Sequence, residues 1–194
     1  MRESKVERKT LETEITVNLN LDGNGIKKIN TGIKFFDHML EQLASHGYFD
    51  LDINVISHDN DPHHIVEDVA LTIGEAFRNA LGNKKGINRY GYTMIPMDES
   101  LTLCSIDLSG RPYCNFDAEI SERKVRDLET ALVRHFFSSF SVGSASTLHI
   151  KLMYGEDTHH KIESIFKAFA RALNIACGIN KDHSESVPST KGTI

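Results

Sequence analysis

Tryptophan is absent from this 194-residue chain, proline occurs four times and cysteine only three times. Cys104, Cys114 and Cys177 are odd in number, far apart and in no CxxC pair. That excludes a disulfide framework and a finger-type structural zinc, and points to reduced thiols in a cytoplasmic protein. Apolar runs extend for only a few residues, against the ~20 that a transmembrane helix requires, so no membrane span is expected. The opening MRESKVERKT is too polar for a secretory leader, and Glu3 and Glu7 argue against a transit peptide. Positive charge is also scarce, with 22 Lys and Arg against 27 Asp and Glu for a formal charge of −5. A general nucleic-acid binder is thereby disfavoured. Histidine is the residue in excess, with ten copies.

Periodicity gives the organisation. Strands are expected at residues 13–21 and 26–30, joined by a hairpin turn at Asp22-Gly23-Asn24-Gly25. A helix is expected over 33–45, a strand over 49–56, and a helix from the Asp61 cap and Pro62 to about Leu81. The second half repeats that order: strands at 100–108 and 113–120, a helix over 127–140, a strand at 147–154, and a helix capped by Thr158 running to Cys177. LDINV at Leu51 matches LHIKL at Leu148 with an offset of 97, which also places His38 on His135. At an offset of 96, His63, His64 and Glu67 fall on His159, His160 and Glu163. The chain therefore reads as an α+β protein of internally duplicated β-β-α-β-α halves, residues 1–90 and 91–179, packed as one unit. Residues 180–194 read as a mobile tail.

The two His-His-x-x-Glu motifs have chemical consequences. His63 and Glu67 lie four apart on a helix and share a face, whereas adjacent His63 and His64 diverge by about 100°. Each motif should therefore serve two ions. With His38 and His135 the set becomes six histidines and two glutamates, enough for two sites of three His and one Glu. Imidazole with carboxylate suits Mn, Fe, Co, Ni or Zn, and four protein ligands leave positions open for substrate. His58, His149 and His183 read as ordinary solvated residues. His46 follows His38 by two helical turns and lies on roughly the same face.

FDHMLEQLASHG (36–47), HHIVEDVALTIGEA (63–76), GINRYG (86–91), DLSGRPY (107–113), HHKIESIFKAFARAL (159–173) and PSTKG (188–192) together resemble imidazoleglycerol-phosphate dehydratases, in order and over nearly the whole chain. One departure, at Asn60-Asp61-Pro62, bears on loop conformation rather than ligation. The resemblance implies a ribosomal protein S5 domain 2-like fold and dehydration of imidazoleglycerol phosphate to imidazole acetol phosphate in histidine biosynthesis. It also implies two divalent metal ions per active site, Mn²⁺, and a 24-subunit homo-oligomer with sites between subunits. Such a reaction has only the substrate imidazole as electron sink, which suits one cation on each ring nitrogen.

By that resemblance the metal ligands are His38, His63, His64, Glu67, His135, His159, His160 and Glu163. Glu12 matches the proton-transfer carboxylate. Gln42, His46 and Asp98 match contacts to the glycerol hydroxyls. Arg89, Arg111, Lys167, Ser189, Thr190 and Lys191 match the phosphate-binding positions, so the tail is expected to close over substrate. Two other readings of the donor set are a dinuclear metal phosphohydrolase and a non-catalytic metal-binding assembly.

Overall fold

The computed structural model describes residues 2–194. Strand β2 (Thr13–Asn20) buries every second residue, with Ile15, Val17 and Leu19 facing inward. Strand β6 (Ser100–Asp107) repeats the pattern. Period-two burial of this kind makes one face of each strand core and leaves the other to its surroundings.

Each half opens with a strand that the sequence pattern does not predict, and the second half adds a short two-stranded hairpin. β1 (Glu3–Lys9) pairs antiparallel with β2, and β5 (Tyr90–Met97) pairs antiparallel with β6. The rest follows in the expected order: β3 (Lys27–Asn30), α1 (Lys34–Gly47), β4 (Asp50–Ser57) and α2 (Pro62–Leu81) in the first half. In the second, β7 (Tyr113–Asp117) is followed by a short hairpin of β8 (Lys124–Val125) and β9 (Leu128–Glu129). Then come α3 (Ala131–Ser144), β10 (Thr147–Tyr154) and α4 (Thr158–Cys177). The offset between halves is 87 at the leading strands and 97 at α1 and α3, because the β8–β9 hairpin is inserted ahead of α3. For the same reason α3 starts at Ala131 rather than at Asp127.

The expected hairpin between β2 and β3 does not form. The sheet orders are β1-β2-β4-β3 and β5-β6-β10-β7, with β3 parallel to β4 and β7 parallel to β10. The Asp50 carboxylate at the start of β4 accepts the Asn24 and Ile26 N–H groups at 2.8 and 2.9 Å, which carries the turn across to the far side of β4. Asp61 caps α2 as expected, accepting the His63 N–H at 2.8 Å, whereas α4 is capped by Asp157 rather than Thr158.

The helices α1 and α2 cover the first sheet, and α3 and α4 cover the second. The two helix layers meet face to face, α1 against α4 and α2 against α3. Phenylalanines fill the seam: Phe36 meets Phe136 with ring centroids 5.6 Å apart, and Phe77 meets Phe140 at 5.7 Å. α2 and α3 approach closely through glycines, since a Cβ on Gly143 would lie 2.3 Å from the Leu71 carbonyl oxygen. Cys104, Cys114 and Cys177 are free thiols. Burial pushes the Cys177 thiol up to about 12. No helix among the described residues is long and apolar enough to cross a membrane.

Candidate metal and substrate site

Each pair of opposed helices brings one histidine cluster together, and each cluster draws on both halves of the chain. On α4, Glu163 Oε2 lies 2.9 Å from His159 Nε2, and His38 on α1 brings its Nε2 to 3.3 Å from the same oxygen. On α2, Glu67 Oε2 lies 3.6 Å from His63 Nε2, and His135 on α3 brings its Nε2 to 3.4 Å. The His63 and His135 rings stack with centroids 4.3 Å apart. Each cluster therefore has two imidazoles and one carboxylate with donor atoms within 4.8 Å of one another. His38 joins the second-half motif and His135 the first-half motif.

The clusters differ in their surroundings. Burial opposes the charged form of Glu163, but hydrogen bonds from Lys167 and His159 outweigh it and hold the carboxyl below its usual range. Lys167 Nζ sits 2.7 Å from Glu163 Oε1. Gln42 and His46 continue the His38 face of α1, with His46 Nε2 3.2 Å from Gln42 Oε1. Burial, with help from the nearby Lys167 cation, lowers the His46 pKa. Among the described residues, His135 Nε2 is buried without a hydrogen-bond partner.

The third histidine expected at each ion lies elsewhere. His64 and His160, about 100° around their helices from His63 and His159, make separate contacts. His64 Nδ1 is 2.6 Å from Asp59 Oδ2, and its Nε2 is 3.7 Å from Glu12 Oε1. His160 Nδ1 is 2.8 Å from Glu99 Oε2, and its Nε2 is 3.8 Å from Asp98 Oδ2. Hydrogen bonding to Asp59 raises the His64 pKa, and bonding to Glu99 raises that of His160. The Glu99 carboxyl is in turn held far below the ordinary range by His160 and the Asp157 N–H.

Five of the expected phosphate contacts gather at a separate cavity of about 900 Å³, lined by Arg89, Arg111, Ser189, Thr190 and Lys191. Arg89 is held there by Asp107, with Nε 2.7 Å from Oδ1, and donates from Nη1 to the Pro188 carbonyl at 2.7 Å. The tail thus folds against GINRYG. Lys167 is not in that cavity but beside Glu163. Another groove, about 580 Å³ on the outer face of the first sheet, contains none of the histidines.

A family model described as imidazoleglycerol-phosphate dehydratase matches residues 31–173. The chain belongs to the imidazoleglycerol-phosphate dehydratase family. Members of this family are hydro-lyases. The imidazoleglycerol-phosphate dehydratase of Acetivibrio thermocellus is 50% identical over 194 residues, covering all of this chain and 99% of the relative. That of Clostridium kluyveri is 50% identical over the whole of both chains. The crystal structure of the Staphylococcus aureus enzyme superposes with a TM-score of 0.83 at 38% identity, over 92% of this chain and 99% of that one. The Pyrococcus furiosus enzyme, in complex with (S)-C348, gives a TM-score of 0.82 at 33% identity, over 97% and 100% of the two chains.

Within this family member, the sequence pattern overlooked Asp59 and Glu99. The signal for Glu99 was present, because the leading-strand offset of 87 places it on Glu12. Reading it required recognising β1 and β5. Asp59 lies in the loop where the offset changes from 97 to 96, so the duplication matches it to Glu156 or Gly155 and gives no signal for it.

Proposed function

We propose that this chain dehydrates imidazoleglycerol phosphate to imidazole acetol phosphate in cytoplasmic histidine biosynthesis, with two divalent cations, Mn²⁺, per active site. The observation that carries this reading is the twofold occurrence of one donor set, a glutamate facing one Nε2 atom from its own helix and one from across the helix seam. His135 Nε2 tests the fit of a cation. A buried nitrogen left unpaired costs about 1–3 kcal/mol, a penalty that ligation removes. The donors are imidazole and carboxylate without thiolate, a set that accommodates manganese.

In this reading His38, His159 and Glu163 hold one ion, and His63, His135 and Glu67 the other. His64 and His160 complete sites in neighbouring copies of a homo-oligomer, a 24-mer with active sites between subunits. Each cluster having one histidine fewer than expected supports that arrangement. When bound, the cations supply Lewis-acid stabilisation of negative charge on the substrate imidazole. Glu12 carries the proton. Its side chain is half exposed and faces His64, so it is free to reach a substrate carbon. Gln42, His46 and Asp98 orient the glycerol hydroxyls. Arg89, Arg111, Lys167, Ser189, Thr190 and Lys191 bind the phosphate, the guanidinium groups being suited to bidentate contact.

The deciding assay follows ketone formation from imidazoleglycerol phosphate after metal removal and after restoration of Mn²⁺. Turnover should vanish with chelation and return with the ion. Release of inorganic phosphate without ketone would instead establish a phosphohydrolase, and metal binding without any turnover a storage assembly.

A further inference from the structure

His64 and His160 are each held at Nδ1 by a carboxylate that the proposed reaction does not otherwise use. In both carboxylates the second oxygen is tied to main-chain N–H groups. Asp59 Oδ1 accepts from Asp61 at 3.0 Å. Glu99 Oε1 accepts from Glu156 at 3.1 Å and from Asp157 at 2.9 Å. The free oxygen is thereby aimed at the imidazole, 2.6 Å away in the first half and 2.8 Å in the second. A carboxylate only accepts, so Nδ1 must carry the proton, and in the neutral ring Nε2 then keeps its lone pair.

The two halves reach this arrangement from different places. Asp59 comes from the loop between β4 and α2, whereas Glu99 comes from the turn between β5 and β6. The positions equivalent to Asp59 in the second half are Glu156 at the strand offset of 97 and Gly155 at the helix offset of 96, and the carboxylate on His160 Nδ1 is neither. The equivalent of Glu99 is Glu12, which faces His64 from the Nε2 side. A contact carried along passively by the duplication would use equivalent positions. We infer that Asp59 and Glu99 are positioning residues that fix His64 and His160 as Nδ1–H tautomers, presenting each Nε2 as a cation ligand. The inference rests on the two-cation reading above.

The test compares Glu99→Gln with Glu99→Ala, and Asp59→Asn with Asp59→Ala, in the full chain. In Glu99→Gln the amide oxygen stays with the two main-chain donors, so the NH₂ group faces Nδ1. A donor facing Nδ1 drives the proton to Nε2 and removes the ligand lone pair. Alanine leaves Nδ1 to water and permits either tautomer. The near-isosteric amides should therefore bind worse than the alanines, the reverse of the order expected from packing alone. Mn²⁺ binding by equilibrium dialysis, with circular dichroism as the folding control, reads the order. Binding should weaken about 10–100-fold in the amide variants and less in the alanine variants. Wild-type binding by the amides, or binding tighter than the alanines, overturns the inference. If the wild type binds Mn²⁺ without dehydrating imidazoleglycerol phosphate, the reaction assignment fails while the variant order still judges the tautomer argument. A wild type that binds no divalent cation overturns both.

Discussion

Glu12 and Glu14 are two residues apart and share a strand edge in the sequence, but their environments separate them. Glu14 is engaged by Lys9 at 2.6 Å and by His58 at 3.4 Å. Among the described residues Glu12 has no lysine or arginine partner, and it faces His64 within the group that also contains Asp59. A carboxylate tied to a lysine is a poor proton carrier, while one beside an imidazole is placed for transfer. Glu12→Gln should keep wild-type metal content and assembly while kcat falls about 10²–10⁴-fold. Steady-state kinetics beside metal analysis check this, and near-normal turnover would refute the assignment.

One of the elements that carry the site obtains its first turn's partners from a distant segment. Helix α1 begins at Lys34 after Ile33, which offers no capping side chain. Its first N–H groups are accepted instead by Asp127 from the inserted β8–β9 hairpin, at 2.8 Å to Lys34 and 2.9 Å to Phe35. The insertion in the second half thus caps the helix that carries His38 in the first. Burial raises the Asp127 pKa, but the Phe35 and Lys34 N–H groups outweigh it and leave the carboxyl below its ordinary range. Its contribution is therefore present above the ordinary aspartate pKa of about 3.9 and lost as pH falls through the lower folded value. Asp127→Ala should cost about 0.5–2 kcal/mol at neutral pH, and the gap from wild type should narrow on acidification. Thermal denaturation at pH 7 and pH 3 measures both. A gap that is constant with pH would show that the carboxylate charge contributes nothing.

Across the whole molecule, the duplication crosses over. Each cluster combines a motif from one half with a lone histidine from the other, because the helix layers stack α1 on α4 and α2 on α3. Separating the halves would leave each His-Glu pair without its opposing imidazole. The tail adds a second long-range closure. The Gly86 N–H bonds the Ser186 carbonyl at 2.9 Å, and Arg89 reaches Pro188, which brings Ser189, Thr190 and Lys191 beside Arg89 and Arg111. Removing the chain after Val187 should raise KM for the phosphorylated substrate at least severalfold while leaving metal content unchanged. Steady-state kinetics on the truncated chain test this, and an unchanged KM would make the tail a spectator.

The fold was largely legible where burial imposes a period: β2, β4, β6 and β10, together with four helices whose inner faces are apolar. The leading strands were not. β1 buries only Val6 among charged residues, and β5 contains Gly91 and Pro96, so neither shows the alternation of a half-buried strand. Both are edge strands paired with one neighbour, through main-chain bonds that side-chain patterning does not encode. Gly91 is required by packing, since a Cβ there would lie 1.9 Å from the Ala172 carbonyl oxygen of α4.

The sequence by itself determined the histidine and glutamate donor types, their duplication and the divergence of adjacent histidines, since composition and helical geometry are local. Tertiary structure alone decided which imidazole meets which glutamate, that His135 Nε2 is buried beside Glu67 without a hydrogen bond among the described residues, and that Asp59 and Glu99 hold His64 and His160. Those outcomes depend on how two helix layers stack and on where turns distant in sequence come to rest, and no local period records either.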